Sequence, residues 1–318
     1  MMPGTASAGH PSFRTVWPPR SSRGDPLFHA RLTADERDEA GPTAALRRGS
    51  TLHRAARSLS VVGMETLELT RTGGVATITL DRPAKKNAIN DAMWTELRLV
   101  LDEVAISSQD RVLVITGAGG AFCSGADLSD VRGERHQLEK MRDIADVALR
   151  LHRLAKPTIA KVGGVAAGAG CNLALGCDLI VASEDARFSE IFAKRGLSID
   201  FGGSYVLPRL VGLHKAKELA FFADIISAQE AVDLGLVNRV VPAAELDAFV
   251  GGWAARLAAG PPLALSMTKT MLNNAFAVSM DQALEDEGRC QTVNFGTADT
   301  MEAMRAFTEK REPLFEGR

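Results

Sequence analysis

Two glycine-rich loops carry the residues that could bind an anionic oxygen. They are Gly117–Asp127 (Gly-Ala-Gly-Gly-Ala-Phe-Cys-Ser-Gly-Ala-Asp) and Gly163–Gly170 (Gly-Gly-Val-Ala-Ala-Gly-Ala-Gly). Residues without bulky side chains leave backbone N–H groups open to a ligand. Two such groups that converge at strand ends would stabilise a negatively charged oxygen during a reaction. The other interpretation is that these glycines serve only tight turns and close helix packing.

The spacing in these loops argues against three common kinds of site. Neither loop contains G-x-G-x-x-G or the Lys-Ser/Thr end of a phosphate-binding loop, so a dinucleotide or nucleoside triphosphate site loses its main support. Phe122 and Ala126 stand where glycines would flank Ser124 in a serine hydrolase. The loops therefore favour chemistry at the backbone.

Composition excludes further classes of protein. Cys123, Cys171, Cys177 and Cys290 form no C-x-x-C pair and no zinc-type cluster, so we expect no metal ion and a reducing, cytoplasmic location. No apolar stretch approaches the roughly 20 residues that span a bilayer. The chain has 37 Lys and Arg against 39 Asp and Glu. The residues after the first 63 have a mildly acidic net charge, which argues against nucleic acid as a partner.

The first 63 residues differ from the rest. They contain nine arginines, no lysine and six of the 13 prolines, and they show no apolar periodicity. Such a segment cannot bury enough surface to offset the entropy of ordering it. Residues 1–63 are therefore predicted to be a disordered extension. Because Met64 directly precedes the first strand-like stretch, a second hypothesis is that translation starts there.

From Met64 onward, short β-branched runs alternate with helical patterns that would position the loops. Strands are predicted at 75–80, 111–116, 158–162 and 178–182, with helical patterns at 93–104, 138–152 and 172–177. This alternation predicts a largely parallel α/β sheet. Beyond about residue 203, the pattern is helical at 214–223, 227–234, 243–259, 261–275 and 279–295, interrupted by a strand-like run at 237–241.

Several motifs stand in the order typical of one enzyme family. They are 122–128 (Phe-Cys-Ser-Gly-Ala-Asp-Leu), 164–178 (beginning Gly-Val-Ala-Ala-Gly-Ala-Gly), 81–83, 87–90, 207–212, 228–238 and 306–311. In this collinear arrangement the chain resembles the crotonase superfamily, that is, the enoyl-CoA hydratase/isomerase family. The resemblance implies an α/β fold with a ββα spiral core at 64–256. It also implies a helical region at 257–318 through which the chain forms a homotrimer or homohexamer.

The resemblance implies a substrate and the residues that bind it. The family binds acyl-CoA thioesters and polarises the thioester carbonyl with two backbone N–H groups, which fall here on Ala126 and Ala169. Coenzyme A is part of the substrate, so no separate cofactor is implied. The family positions that contact the acyl group, the pantetheine arm or the CoA nucleotide are occupied by Asp127, Leu128 and Ser129 and by Lys85, Lys86 and Ala88. For the two lysines, a solvated surface position is the other interpretation.

The chain departs from the hydratase pattern at both catalytic carboxylates. Hydration needs one carboxylate as general base and one as general acid, and those positions align with Asn172 and Phe192, which cannot transfer a proton. Asp200 stands where dienoyl-CoA isomerases, epoxyphenylacetyl-CoA isomerases and chlorobenzoyl-CoA dehalogenases of the family have aspartate. One base suffices to move a proton, so isomerisation with Asp200 as acid/base is favoured. The other interpretation is that Asp200 caps the following helix.

The remaining predicted site residues surround Asp200. Asn172 is expected to donate a hydrogen bond to the substrate or intermediate, and Phe188, Phe192 and Phe201 are expected to enclose the acyl group. Glu190 would share a face with Phe192 on an extended segment and is a further candidate for proton transfer.

Three alternatives remain open. The first is a hydratase that adds water, positioned by Asp200 and Asn172, to a 2-enoyl-CoA. An aryl-CoA dehalogenase is disfavoured because neither His136 nor His152 aligns with the histidine that those enzymes use. A non-catalytic acyl-CoA-binding or RNA-binding member is also considered, but the helix that would bind RNA mixes acidic with basic residues.

Overall fold

The structure of the protein, a computed structural model, describes residues 63–130 and 136–318. The predicted extension at 1–63 lies outside the described residues, apart from Gly63. The strands are β1 (Leu67–Thr72), β2 (Val75–Leu80), β3 (Val112–Gly117), β4 (Thr158–Val162), β5 (Val165–Ala167), β6 (Leu179–Ser183), β7 (Arg187–Ser189), β8 (Ile226–Ser227) and β9 (Arg239–Val241). The helices are α1 (Asp91–Ile106), α2 (Gln137–Arg153), α3 (Ala169–Leu175), α4 (Gly203–Phe222), α5 (Ala228–Asp233), α6 (Leu246–Ala258), α7 (Pro262–Asn274), α8 (Met280–Phe295) and α9 (Ala298–Glu309).

A six-stranded sheet lies at the centre of the described chain. Its order is β1-β2-β3-β4-β6-β9, and all neighbours are parallel except β1 and β2. The apolar run of β3 is buried from Val112 to Thr116, as is typical of a parallel strand covered on both faces. The predicted, largely parallel α/β sheet is confirmed.

Helices cover the two faces of this sheet with separate apolar cores. Alternate residues of a strand point to opposite faces, and Leu113 and Val114 of β3 accordingly enter different cores. The first core includes Met93 and Leu97 of α1, as the helical spacing predicts. The second includes Val250 of α6.

A second sheet, β5-β7-β8, is not predicted by the sequence. Its strands have three, three and two residues, too few to show an alternating pattern. β5 also forms an isolated parallel bridge with the first glycine-rich loop, between Ala166 and Cys123. The second sheet thereby positions both loops.

The C-terminal helices α7, α8 and α9 follow the sheet. Lys269 of α7 donates to the carbonyl oxygen of Lys156 at 3.0 Å and pairs with the Asp178 carboxylate at 2.7 Å. The helical patterns of the sequence end at residue 295 and do not predict α9. The predicted division between 256 and 257 falls inside α6 and stays a prediction. None of the helices in the described ranges is long and apolar enough to cross a membrane.

The two glycine-rich loops touch through their backbones. A Cβ atom on Gly170 would overlap the carbonyl oxygen of Cys123. One on Gly125, whose φ is +100°, would lie 2.9 Å from the carbonyl oxygen of Ala167. The contact between the loops therefore requires glycine at both positions.

We expect Gly170→Ala to lower the free energy of unfolding by more than about 2 kcal/mol, because the added methyl group overpacks this contact. The matched control is Gly251→Ala, since Gly251 also lies inside a helix but has no atom within 4 Å of an added Cβ. There alanine should stabilise the protein by about 0.5–1 kcal/mol. Urea unfolding measures both changes, and wild-type stability of Gly170→Ala would contradict the close contact.

Candidate active site

Backbone hydrogen bonds align the two glycine-rich loops. The N–H of Cys123 donates to the carbonyl oxygen of Val165 at 2.9 Å, and the N–H of Ala167 donates to the carbonyl oxygen of Cys123 at 2.9 Å. From this pairing, one loop continues to Ala126 and the other to Ala169. The pairing therefore brings together the two predicted oxyanion donors.

Among the residues that the structure describes, the surroundings of Ala126 and Ala169 leave both N–H groups without a hydrogen-bond acceptor, and Ala126 is exposed whereas Ala169 is buried. Ile89 donates to the carbonyl oxygen of Gly125 at 2.9 Å and accepts from the N–H of Asp127 at 2.8 Å. In such a parallel bridge the N–H of Ala126 points to the opposite side. Ala169 is the first residue of α3, where N–H groups have no acceptor within the helix. Within residues 63–130 and 136–318, neither N–H has a hydrogen-bond acceptor.

Asn87 fastens the segment before α1 to the first glycine-rich loop. Its side chain is fully buried and accepts from the N–H of Arg82 at 2.9 Å. Its Nδ2 atom donates to the carbonyl oxygens of Ala118 and Ala121, both at 2.9 Å. The motif around Asn87 is visible in the sequence, but this role is not.

The residues predicted to contact the CoA nucleotide lie on the same segment. Lys85 and Lys86 are exposed, whereas Ala88 is buried. Ser124 of the first loop donates from Oγ to the carbonyl oxygen of Lys85 at 3.2 Å and from N–H to that of Lys86 at 3.0 Å. The two ammonium groups therefore stand at the surface beside the first loop, and their contact with phosphate stays a prediction.

Asp127 holds the first loop and is not suited to proton transfer. Its carboxylate pairs with Arg82 at 3.0 Å and accepts from the Oγ and N–H of Ser129 at 2.6 and 3.1 Å. The hydrogen bonds from Ser129, helped by the charge of Arg82, lower the pKa of Asp127 to about 2. Asp127 therefore stays ionised at neutral pH, and Ser129 serves it as a hydrogen-bond donor.

A cleft of about 530 Å³ opens beside Ala126. Its walls come from α1, the first loop, α2 and the segment before α4, and Asp127, Leu128 and Asp200 line it together with Ala126. Trp94 of α1 also lines it; the sequence does not single out this residue, because its helical position is that of a core side chain. The cleft thus joins one predicted donor with the predicted base.

Asp200 lies in this cleft as a partly buried carboxylate. Its Oδ1 atom is buried without a hydrogen-bond partner among the described residues, and burial raises the pKa of Asp200 to about 6. The alternative interpretation of Asp200 as a helix cap is wrong. The N-cap of α4 is Gly202, with φ of 80° and no side-chain capping bond, and the left-handed Phe201 separates it from Asp200.

Asn172 supports the Asp200 segment from within the protein. Its Nδ2 atom donates to the backbone carbonyl oxygen of Asp200 at 2.9 Å and to Oε2 of Glu190 at 3.3 Å, which uses both amide hydrogens. A Cβ on Gly203 would lie 2.6 Å from Cγ of Asn172, so the amide also packs against the first turn of α4. The expected donation to a substrate stays a prediction and requires release of one of these acceptors.

Glu190 is a second buried carboxylate, linked to Asp200 through Asn172. It is 4% exposed, and its Oε1 atom has no hydrogen-bond partner in the described part of the chain. Burial raises the pKa of Glu190 to about 7, hydrogen bonds from Cys171 and Asn172 oppose this, and the charge of Asp200 adds to it. In the described ranges no group of three or more His, Cys, Asp or Glu residues could hold a metal ion.

The three phenylalanines predicted to enclose the acyl group occupy different places. Phe201 stacks on Trp94 with ring centroids 5.4 Å apart. Phe192 lies beside the second loop, where a Cβ on Gly168 would be 3.7 Å from its ring. β7 buries the Phe188 side chain in the apolar core at 1% exposure, and it does not line the cleft, so its contact with the acyl group stays a prediction.

Comparison with known proteins relates this arrangement to one family. The profile of the enoyl-CoA hydratase/isomerase family matches residues 70–318. The short-chain-enoyl-CoA hydratase of Clostridium acetobutylicum is 38% identical over 248 residues, which cover 77% of this chain and 95% of that protein. The 1,2-epoxyphenylacetyl-CoA isomerase of Escherichia coli is 38% identical over 251 residues, covering 77% and 96%. The solved structure of an enoyl-CoA hydratase from Bacillus anthracis is similar with a TM-score of 0.77 and 32% identity, over 80% of this chain and 100% of that chain.

We expect Glu190→Gln to stabilise the protein at high pH and to have little effect at low pH. The folded pKa of Glu190, about 7, lies above the unfolded value of about 4.3, so the stability present below about pH 4.3 is lost as the pH rises to about 7, where the buried group ionises. Glutamine removes this charge and keeps an acceptor for Asn172. Thermal unfolding should show a Tm gain of about 5 °C at about pH 8 and of less than about 2 °C at about pH 5.

The control for this measurement is Glu68→Gln, because Glu68 is exposed on β1. Its Tm should change little at either pH. An equal Tm change for Glu190→Gln at both pH values would contradict the buried, ionisable state of Glu190.

Proposed function

The chain is an enzyme of the enoyl-CoA hydratase/isomerase family with the crotonase fold, and on this premise we propose that it isomerises acyl-CoA thioesters. The reaction takes a proton from one carbon of the acyl group and returns a proton to another, without adding water. The observation that carries the proposal is a partly buried carboxylate, Asp200, in the same cleft as the open N–H of Ala126. The positions of the two hydratase glutamates hold Asn172 and Phe192, which do not transfer protons.

The N–H groups of Ala126 and Ala169 bind the thioester oxygen in this proposal. Removal of a proton from the acyl chain moves negative charge to this oxygen, so donors fixed there stabilise the enolate more than the substrate. One such donor contributes about 10²–10³-fold to kcat. The close contact at Gly125 and Gly170 supports this role, because it fixes both donors before the substrate binds.

Asp200 acts first as base and then as acid. With a pKa of about 6, it is ionised at neutral pH and still basic enough to accept a proton. Its Oδ1 atom has no partner among the described residues and can therefore accept the proton. Asp200 takes a proton from one carbon, exchanges it with solvent water while it is protonated, and returns a proton to another carbon, so the reaction balances without a co-reactant.

A hydratase that adds water to a 2-enoyl-CoA is the second candidate, and the relatives with hydratase names support it equally. Glu190 favours it, because a second carboxylate near Asp200 supplies the pair that hydration needs. Their pKa values, about 6 for Asp200 and about 7 for Glu190, would suit a base and an acid. Since Glu190 does not line the cleft, isomerisation remains our first proposal.

Self-association through the C-terminal helices, as a homotrimer or homohexamer, is part of the proposal. Large apolar side chains stay exposed along this region of the chain, and exposed apolar surface of this extent indicates a contact with another protein surface. They include Phe276 (72% exposed), Met280 (75%), Phe295 (65%), Met301 (64%) and Phe307 (87%).

A cytoplasmic location is proposed from the cysteines. Cys123, Cys171 and Cys177 are buried free thiols, as expected in a reducing compartment. Burial raises the pKa of Cys123 and Cys177 to about 12, so these thiols stay protonated and unreactive.

We expect Asp200→Asn to lower kcat by about 10²-fold or more while KM changes less than about threefold, because asparagine keeps the shape but cannot take the proton. The assay uses enoyl-, dienoyl- and arylacetyl-CoA thioesters in deuterated water with mass detection. Deuterium uptake without the added mass of water identifies isomerisation.

The control is Asp224→Asn, because Asp224 is an exposed carboxylate that pairs with Lys194 at 2.9 Å. This variant should keep wild-type kcat. Unchanged kcat in Asp200→Asn would remove Asp200 from the mechanism, and a product heavier by one water would favour the hydratase.

Light scattering should give the mass of three or six chains. Phe307→Glu should shift the population toward smaller species, because it places a charge on apolar surface that association would bury. Glu68→Gln on β1 should leave the mass unchanged. A monomeric wild-type protein would contradict the proposed assembly.

A further inference from the structure

Glu190 is a buried carboxylate that the proposed proton transfer does not use. It follows β7 directly, and only 4% of its surface is exposed. The groups that act on its charge are Cys171, Asn172 and Asp200, none of which is a cation. Burying a carboxylate without a cation lowers the stability of the folded protein. A role in holding a neighbouring residue in place would account for this loss of stability.

Hydrogen bonds connect Glu190 to Asp200 through Asn172. Oε2 of Glu190 accepts from Nδ2 of Asn172 at 3.3 Å, and the same nitrogen donates to the backbone carbonyl oxygen of Asp200 at 2.9 Å. If the amide of Asn172 turned by half a rotation, its Oδ1 atom would face two acceptor oxygens. Glu190 therefore supports the orientation of Asn172 in which Nδ2 donates to the backbone carbonyl oxygen of Asp200.

The segment that Asn172 holds is conformationally unfavourable on its own. Phe201, directly after Asp200, has φ of 49°, a left-handed conformation that persists in a non-glycine residue only where surrounding contacts impose it. The carbonyl oxygen of Asp200 also accepts from the N–H of Gly203 at 2.9 Å, and Asn172 packs against Gly203. The hydrogen bond from Asn172 is thus one of the contacts that fix the Asp200 segment.

We propose that Glu190 is a positioning residue that acts through Asn172 to hold Asp200 in place for proton transfer. The inference rests on the proposed function, because it requires Asp200 to be the acid/base. A displacement of about 1 Å can cost a catalytic group about 10²-fold in rate, so loss of this support should lower kcat more than it weakens substrate binding. Protonated Glu190 still accepts from Asn172 through its carbonyl oxygen and places no second charge beside Asp200.

A matched pair of variants at residue 190 tests the proposal in the isomerisation assay. Glu190→Met keeps the volume and removes the acceptor, and it should lower kcat about tenfold or more with KM within about threefold. Glu190→Gln keeps the acceptor and should retain kcat within about threefold of wild type. The control is Asp110→Asn, which removes a buried carboxylate outside the site, paired with Arg71 at 3.0 Å, and should leave kcat unchanged.

A double variant separates positioning from a direct role. Because Glu190 acts through Asn172, Asn172→Ala combined with Glu190→Met should be at most about twofold slower than Asn172→Ala alone. If the kcat losses of the two single variants multiply in the double variant, the proposal is overturned. Full activity of Glu190→Met, or equal kcat losses in Glu190→Met and Glu190→Gln, would also overturn it.

Three further outcomes have a defined meaning. If Glu190→Met does not fold, Glu190→Asp replaces it, because its shorter side chain withdraws the acceptor from Asn172, and the same kcat loss is expected. If Asp200→Asn keeps full activity, the proposed function fails and the positioning role falls with it. If Asp200→Asn is inactive but Glu190→Met is fully active, only the positioning role is overturned.

Discussion

The backbone contact between the two glycine-rich loops is the constraint on which the site depends. Gly170 faces the carbonyl oxygen of Cys123 so closely that no side chain fits, and the hydrogen bond from Ala167 to Cys123 at 2.9 Å sets the register of the loops. A shift of one residue would bring different N–H groups to the positions of Ala126 and Ala169. Because both proposed donors are backbone groups, the chemistry requires this register and small residues, and it requires no particular side chain at either position.

Around Asp200, buried polar atoms without hydrogen-bond partners among the described residues lower the stability of the folded protein. Three buried acceptor atoms without a described partner, Oδ1 of Asn172, Oε1 of Glu190 and Oδ1 of Asp200, belong to residues joined by hydrogen bonds, and native proteins contain few such atoms. By contrast, Asn87 and Asp127, which hold the first loop, are well bonded. A carboxylate without a partner is a stronger base, so the local loss of stability supports proton transfer.

The sequence predicts the parts of the fold that have long repeating patterns, such as the parallel strand β3 and the apolar face of α1. It does not predict β5, β7 and β8, because strands of two or three residues form only when tertiary contacts pair them. The motifs point to the loops of Ala126 and Ala169, and Asp200 does line the cleft. The links between Asn172, Glu190 and Asp200 join residues 18 and 28 positions apart in separate segments of the chain, so no single helical or strand repeat relates them.

The most direct test of this account is a crystal structure with a bound acyl-CoA substrate analogue. We expect the thioester oxygen to lie within about 3.2 Å of the backbone nitrogens of both Ala126 and Ala169. The carboxylate of Asp200 should face the carbon that loses the proton. A thioester oxygen bound elsewhere, or an Asp200 carboxylate turned away from the acyl group, would contradict this account.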